Sequence, residues 1–282
     1  MLTGRVLLIA FEGWNDATEG ASGALKAIAQ QIGAQTLEAV DPEDYYDFQF
    51  SRPMVEVDEA GNRTISWPGA EFMQADREHI DLNPALDRLY LLIGSEPSRR
   101  WLSFAAEILE MVQDREIDSV IMLGSMLADV PHTRPMPIFK SSQNEAFRAR
   151  YDLEPSRYEG PVGILSILAQ AFESEGIPAL SLWGSVPHYV HNTSNPKAAL
   201  GFLAEITSLI GISFDTTELA DQAFEWERSI DDVAEGDDEM TSYVSQLEAN
   251  RDQLESEQAS GDALAREFER YLNERKDGAG EG

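Results

Sequence analysis

The stretch Arg5-Val-Leu-Leu-Ile-Ala-Phe11-Glu-Gly-Trp14-Asn-Asp16 decides the fold. Its apolar run, Val6 to Phe11, is too short to cross a bilayer, and acidic residues follow it at once. It also lacks the in-out alternation of a half-exposed strand, so it reads as a strand buried on both faces. A helix from about Thr18 to Gln31 comes next, which makes the chain open as strand, loop and helix. The same pattern recurs downstream. Gln35–Val40, Leu89–Ile93, Val120–Leu123 and Ala179–Trp183 are further strand candidates. Ser98–Gln113, Val162–Glu175 and Pro196–Ile210 are helix candidates, the first with Trp101, Phe104, Ala105, Ile108 and Met111 on one face and the last with Pro in its first turn. Alternation of this kind predicts an α/β sheet covered by helices on both faces. One segment differs: Met54–Trp67 reads as a β-hairpin, with Val55, Val57, Ile65 and Trp67 flanking an Asp-Glu-Ala-Gly-Asn turn.

Composition narrows the function. The 282 residues are 43% apolar and contain no cysteine, which excludes a disulfide framework, thiol catalysis and cysteine-ligated metal sites. The formal charge is −30, from 51 acidic and 21 basic residues. Such a field repels nucleic acid and anionic membrane surfaces, so neither is an expected partner. With no signal peptide and no membrane span recognisable, the predicted location is the cytoplasm.

The charge is concentrated at one end. Residues 215–282 hold 21 acidic and 6 basic residues, a net of −15. Thr216–Val233 is helical in pattern, and a charged break, Glu235–Glu239, follows it. Met240, Tyr243, Val244, Leu247 and Leu254 then fall at helical spacing, and Leu264, Phe268, Tyr271 and Leu272 resume the stripe after a Ser260-Gly-Asp turn. The expected organisation is an α/β domain over 1–211, an acidic helical arm over 212–275 and a disordered tail over 276–282. The arm either packs back on its own domain or contacts another chain.

Three strand candidates end in the same dipeptide, at Gly94-Ser95, Gly124-Ser125 and Gly184-Ser185. In an open α/β sheet, ligands bind at the carboxyl ends of the strands. If these strands are parallel neighbours, their loops bring Glu12, Trp14, Asp16, Arg99, Arg134, His188 and Asn192 to one polar crevice, the candidate binding site. An enzyme reading would have Arg99 or Arg134 hold a carboxylate or phosphate, with Asp16 or Glu12 as base and His188 polarising the substrate. The competing reading is that Gly-Ser merely terminates strands and the charges dress the loops. No catalytic signature supports chemistry: a G-x-S-x-G elbow, a P-loop and a dinucleotide fingerprint are all missing. His188-x-x-His191 needs a third ligand from afar, from His132 or Asp129, so no metal and no cofactor is expected.

Four motifs in order carry a resemblance: Phe11-Glu-Gly-Trp14-Asn-Asp16-Ala, Gly94-Ser-Glu-Pro97-Ser-Arg-Arg-Trp101, Tyr158-Glu-Gly160-Pro161-Val-Gly163-Ile and Trp183-Gly-Ser-Val-Pro187-His188-Tyr189-Val. Together they resemble the bacterial branch of the proteasome assembly chaperone 2-like family, over about residues 1–275. The resemblance implies a three-layer α/β/α sandwich of phosphorylase/hydrolase-like architecture with a C-terminal acidic helical subdomain. It also implies a small homo-oligomer, a trimer favoured, and clients such as proteasome subunits. A non-catalytic, oligomeric protein-binding scaffold is therefore the leading expectation, with an enzyme or small-molecule binder using the crevice as the alternative. One departure stands out. Some relatives dock through a C-terminal hydrophobic-Tyr-any tail, whereas this chain ends Asp-Gly-Ala-Gly-Glu-Gly.

Overall fold

A computed structural model describes residues 1–57, 61–156, 158–190 and 193–256. The chain opens with β1 (Val6–Glu12), α1 (Gly20–Gln31), β2 (Gln35–Ala39) and a short α2 (Pro42–Tyr45). The hairpin strands β3 (Met54–Val57) and β4 (Arg63–Ser66) follow, then β5 (Ala70–Gln74), α3 (Arg77–Leu82), β6 (Leu89–Ser95) and α4 (Trp101–Asp114). Next come β7 (Ser119–Ala128), β8 (Ile138–Ser141), α5 (Glu145–Tyr151), α6 (Ile164–Ser174), β9 (Ala179–Pro187) and α7 (Pro196–Ile210). Two further helices, α8 (Thr217–Ala234) and α9 (Asp238–Ser256), belong to the acidic end.

The order in the main sheet is β2-β5-β6-β1-β7-β9-β8. The four central strands are parallel, and β2, β5 and β8 pair antiparallel. Burial on both faces explains the unbroken apolar run of β1. Val6, Leu8 and Ala10 join the core shared with α1 and α7. Leu7, Ile9 and Phe11 point the other way, into the core of α4 and α6. Three α/β/α layers result.

Two readings of strand ends need correction. β7 and β9 run on past Gly124-Ser125 and Gly184-Ser185, paired in register from Val120↔Ala179 to Ala128↔Pro187. Only Gly94-Ser95 closes a strand. The glycines serve close packing instead. A Cβ on Gly124 would stand 2.6 Å from the Trp183 ring, and one on Gly94 only 2.2 Å from the Gly69 carbonyl oxygen. Five elements the pattern did not show, α2, β5, α3, β8 and α5, are four to seven residues long.

At the acidic end, α8 packs along α7 and buries Ala223, Ile230 and Ala234. The expected second limb of the arm, with Leu264, Phe268, Tyr271 and Leu272, lies outside the described residues, as does the expected tail. Among the described residues no helix is long and apolar enough to cross a membrane.

Gly94 and Gly69 make a matched test. A Cβ at Gly94 meets backbone, which cannot yield, whereas nothing lies within 4 Å of one at Gly69. Gly94→Ala is expected to cost about 1–3 kcal/mol, and Gly69→Ala no more than about 0.5 kcal/mol. Urea titration followed by circular dichroism measures both.

Candidate functional site

After β1 the chain turns through Gly13, whose φ of +104° suits glycine. The turn ends in two left-handed non-glycine residues, Thr18 and Glu19 (φ 60° and 54°). Conformations of this sort cost of order 1 kcal/mol each and persist only where neighbours enforce them. Here the enforcing group is the buried Asp16 carboxylate. Its Oδ1 accepts from the Ala21 N–H (2.8 Å) and the Ser125 hydroxyl (2.6 Å), and its Oδ2 accepts from the Ser22 N–H (2.8 Å). The carboxylate thus fills the positive N-terminus of α1, the place where an anionic ligand would otherwise sit. The Asn195 N–H, donating to the Thr18 carbonyl, steadies the turn from the α7 side.

A second carboxylate does the same on the opposite face. Glu96, just past β6, accepts from the Ile164 N–H at the start of α6 (2.8 Å) and from the Asn15 amide (2.6 Å). Asn15 is fully buried, and its side-chain oxygen has no hydrogen-bond partner. Asp16 and Glu96 are therefore both spent on helix N-termini. Glu12 pairs with Lys26 at 2.5 Å. Arg99 turns away from the strand ends and donates to the Glu43 and Asp44 carbonyls of α2. The adjacent Tyr45 hydroxyl, pushed up to about 12 by burial and by its hydrogen bond to Glu107, stays a donor.

The carboxyl ends of β7 and β9 form a second cluster, and α8 and α9 cover it. His132 is buried, with Nε2 3.0 Å from Asp231 of α8 and Nδ1 2.8 Å from the Tyr189 hydroxyl. That hydroxyl also accepts the His132 backbone N–H (2.8 Å), which leaves its own O–H to donate a hydrogen bond to Nδ1. Nε2–H then donates to Asp231. Lys197 pairs with Glu227 of α8 (2.6 Å). Arg134 reaches α9, forking onto Asp252 (2.9 and 3.0 Å) and touching Glu248 (3.1 Å). His188 lies 3.4 Å from Asp129 and edge-on to Tyr243 of α9.

The seven candidates therefore divide. Glu12, Trp14 and Arg99 follow β1 and β6, Arg134 and His188 follow β7 and β9, and buried Asp16 stands between. Asn192 and His191 lie outside the described residues. Tyr189, Asp231, Glu248 and Asp252 complete the second cluster. Sequence periodicity marks the arm's apolar stripe but not which carboxylates face the domain.

Beside β1 and β6 lies an open cleft of ≈ 850 Å³ lined by Glu12, Lys26, Arg52, Trp67, Met73 and Ile93. One wall is the β3–β4 hairpin. Phe50, Met54, Val55, Val57, Ile65 and Trp67 of this segment are each more than half exposed.

This is a three-layer α/β domain whose strand-end acids are mostly committed to its own helices. Its sequence matches the model of the PAC2 family over residues 10–234, and the chain belongs to that family. A PAC2 family protein from Streptomyces avermitilis is 38% identical, with a TM-score of 0.74 over 85% of this chain and 99% of its own. A proteasome-assembly chaperone homologue from Mycobacterium tuberculosis is 35% identical, with the same TM-score and coverage. PbaB of Pyrococcus furiosus, an archaeal proteasome activator, shares the fold at 18% identity (TM-score 0.62, 82% of this chain and 94% of its own). Among curated proteins none matches. The family match stops at Ala234, the last residue of α8, so α9 lies beyond it.

Asp16→Ala removes the α1 cap and leaves the Ser125 hydroxyl only the Ala17 carbonyl (2.6 Å), and should cost about 1–2 kcal/mol in chemical denaturation. A second expectation concerns pH. The Arg134 hydrogen bond holds the Asp252 carboxyl below the usual carboxylate range. Because the folded value is the lower one, the pair contributes fully above about pH 4. That contribution is lost as pH falls through the depressed value. The Arg134 Nε–H resonance should accordingly keep its position from pH 7 down to about 4 and shift only below it.

Proposed function

We propose that this chain is a non-catalytic protein-binding scaffold working in the cytoplasm as a small homo-oligomer, a trimer favoured, with clients such as proteasome subunits. The hairpin carries the reading. Its strands pair Val55 with Ile65 and Val57 with Arg63, so Val55, Val57 and Ile65 share one face. All three are more than half exposed. A lone two-stranded ribbon is marginal in water, and a contiguous apolar patch on a surface marks a contact zone. A second copy of the chain is the occupant that fits. Within the two strands that face carries Arg63 and no acid, so copies can meet there without opposing carboxylates. Membership of the PAC2 family and the likeness to a proteasome-assembly chaperone homologue support a protein-binding role over chemistry. So does the commitment of Asp16 and Glu96 to helix N-termini.

The cleft favours a second reading, a small-molecule site. It lies where the connections from β1 and β6 leave on opposite faces of the sheet, the usual ligand position in such sheets. Its volume suits a metabolite.

Light scattering separates the two. Val55→Asp with Ile65→Lys should reduce the solution mass to that of a monomer while leaving far-UV circular dichroism unchanged. An unchanged mass would reject the hairpin as the contact surface. A metabolite that raises Tm by several degrees, with the rise lost in Lys26→Ala, would favour the cleft.

A further inference from the structure

The helix α9 is held differently from the helices of the domain. Of its described side chains only Val244 and Leu247 are buried, whereas α7 buries seven residues. The rest of its attachment is polar and reaches two loops at the strand ends, residues 129–134 and 188–189. Arg134 forks onto Asp252 and also donates to Glu248, and the Thr133 hydroxyl donates to Glu248 (2.5 Å). The Tyr243 hydroxyl meets Asp129 at 3.2 Å, and its ring stands edge-on to His188 and Tyr189. Tyr243, Val244, Leu247, Glu248 and Asp252 recur at helical spacing along one face. The seat thus reads an aromatic ring, two aliphatic side chains and two carboxylates presented by a helix.

Two independent features show that α9 is poorly suited to be a permanent part of the domain. The seat lies inside the family-matched range, residues 10–234, and α9 follows it. The two arm helices also share a charge sign. Residues 217–234 hold six acids and one base, and residues 238–256 hold five acids and one base. Their mutual repulsion opposes packing of α9 along α8 and leaves the Arg134 fork as the main anchor. That fork is partly open to water: Asp252 is 54% exposed and Arg134 32%. Water reaches the pair, so another carboxylate can compete for the guanidinium.

We propose that this seat, built from Asp129, Thr133, Arg134, His188 and Tyr189, is an interaction surface for an acidic amphipathic helix of a partner protein, with α9 as its intramolecular stand-in. The partner's helix displaces α9 and takes over the fork with its own carboxylates at i and i+4. The inference rests on the scaffold reading and names the chemistry of the client. It stands apart from the hairpin, since loss of mass on hairpin substitution leaves the seat intact.

The test uses the full chain and a fluorescent peptide of residues 238–256. Glu248→Gln with Asp252→Asn alters α9 alone and leaves the seat unchanged, and Tyr243→Ala is a second route to the same release. Each is expected to bind the peptide at least tenfold more tightly than wild type, and to exchange the amides of residues 243–252 at least tenfold faster. Adding Arg134→Met to either should abolish binding, as should making the two amide changes in the peptide instead. Equal peptide affinity for wild type and the released variants would overturn the proposal, as would binding indifferent to Arg134→Met in a folded protein. Protection of α9 amides that rises with wild-type concentration would overturn it differently, by assigning the seat to the α9 of a second copy.

Discussion

Much of this structure hangs on one buried carboxylate. Asp16 joins the first strand to the first helix and ties both to β7 through Ser125, with three hydrogen bonds to a side chain held out of water. A buried charge is tolerable only with such pairing, and the N-terminal amides of α1 supply it without a counter-ion. The tight left-handed corner at Thr18 and Glu19, the seating of α1 against the sheet and the approach of α7 through Asn195 all follow from that anchor. Glu96 repeats the device on the other face with α6, so each helical layer is pinned to the sheet by an acid from a strand-end loop.

This arrangement bears on the meaning of the polar loops. In sheets of this type the strand ends are where ligands bind, because helix N-termini there offer unpaired amides. Here the chain supplies its own anions to α1 and α6. At the β7 and β9 ends the cations and histidines meet acids and tyrosines, several of them from α8 and α9. While α9 is seated, the surface left for other molecules is therefore chiefly apolar hairpin and open cleft.

The layered architecture was legible in the sequence because the central strands, buried on both faces, announce themselves as unbroken apolar runs. Val6–Phe11 needed no other context. The hairpin was legible too, from its alternation and its turn. The short strands β5 and β8 were not, since Ala70-Glu-Phe-Met-Gln74 and Ile138-Phe-Lys-Ser141 are mixed in polarity. Glycine misled at β7 and β9: Gly124 and Gly184 look like terminators, yet they make room within continuing strands for the Trp183 and Phe202 rings. The described candidates lie at or near the ends of β1, β6, β7 and β9, but side-chain direction escaped the sequence. Arg99 follows β6 as read, yet its guanidinium serves α2. Such choices depend on long-range partners, and spacing along the chain carries no trace of them.

The edges of the main sheet have a consequence for how the molecule avoids polymerising. An edge strand exposes unpaired backbone that another sheet can extend. The β2 edge breaks its register at Thr36 and Glu38, and Arg115 anchors Glu38 across it. The β8 edge is four residues long, with Lys140 tied to Glu205. Both margins are thereby blunted against open-ended growth of the sheet. The sticky ribbon forms a separate two-stranded sheet and so lengthens neither margin of the main one.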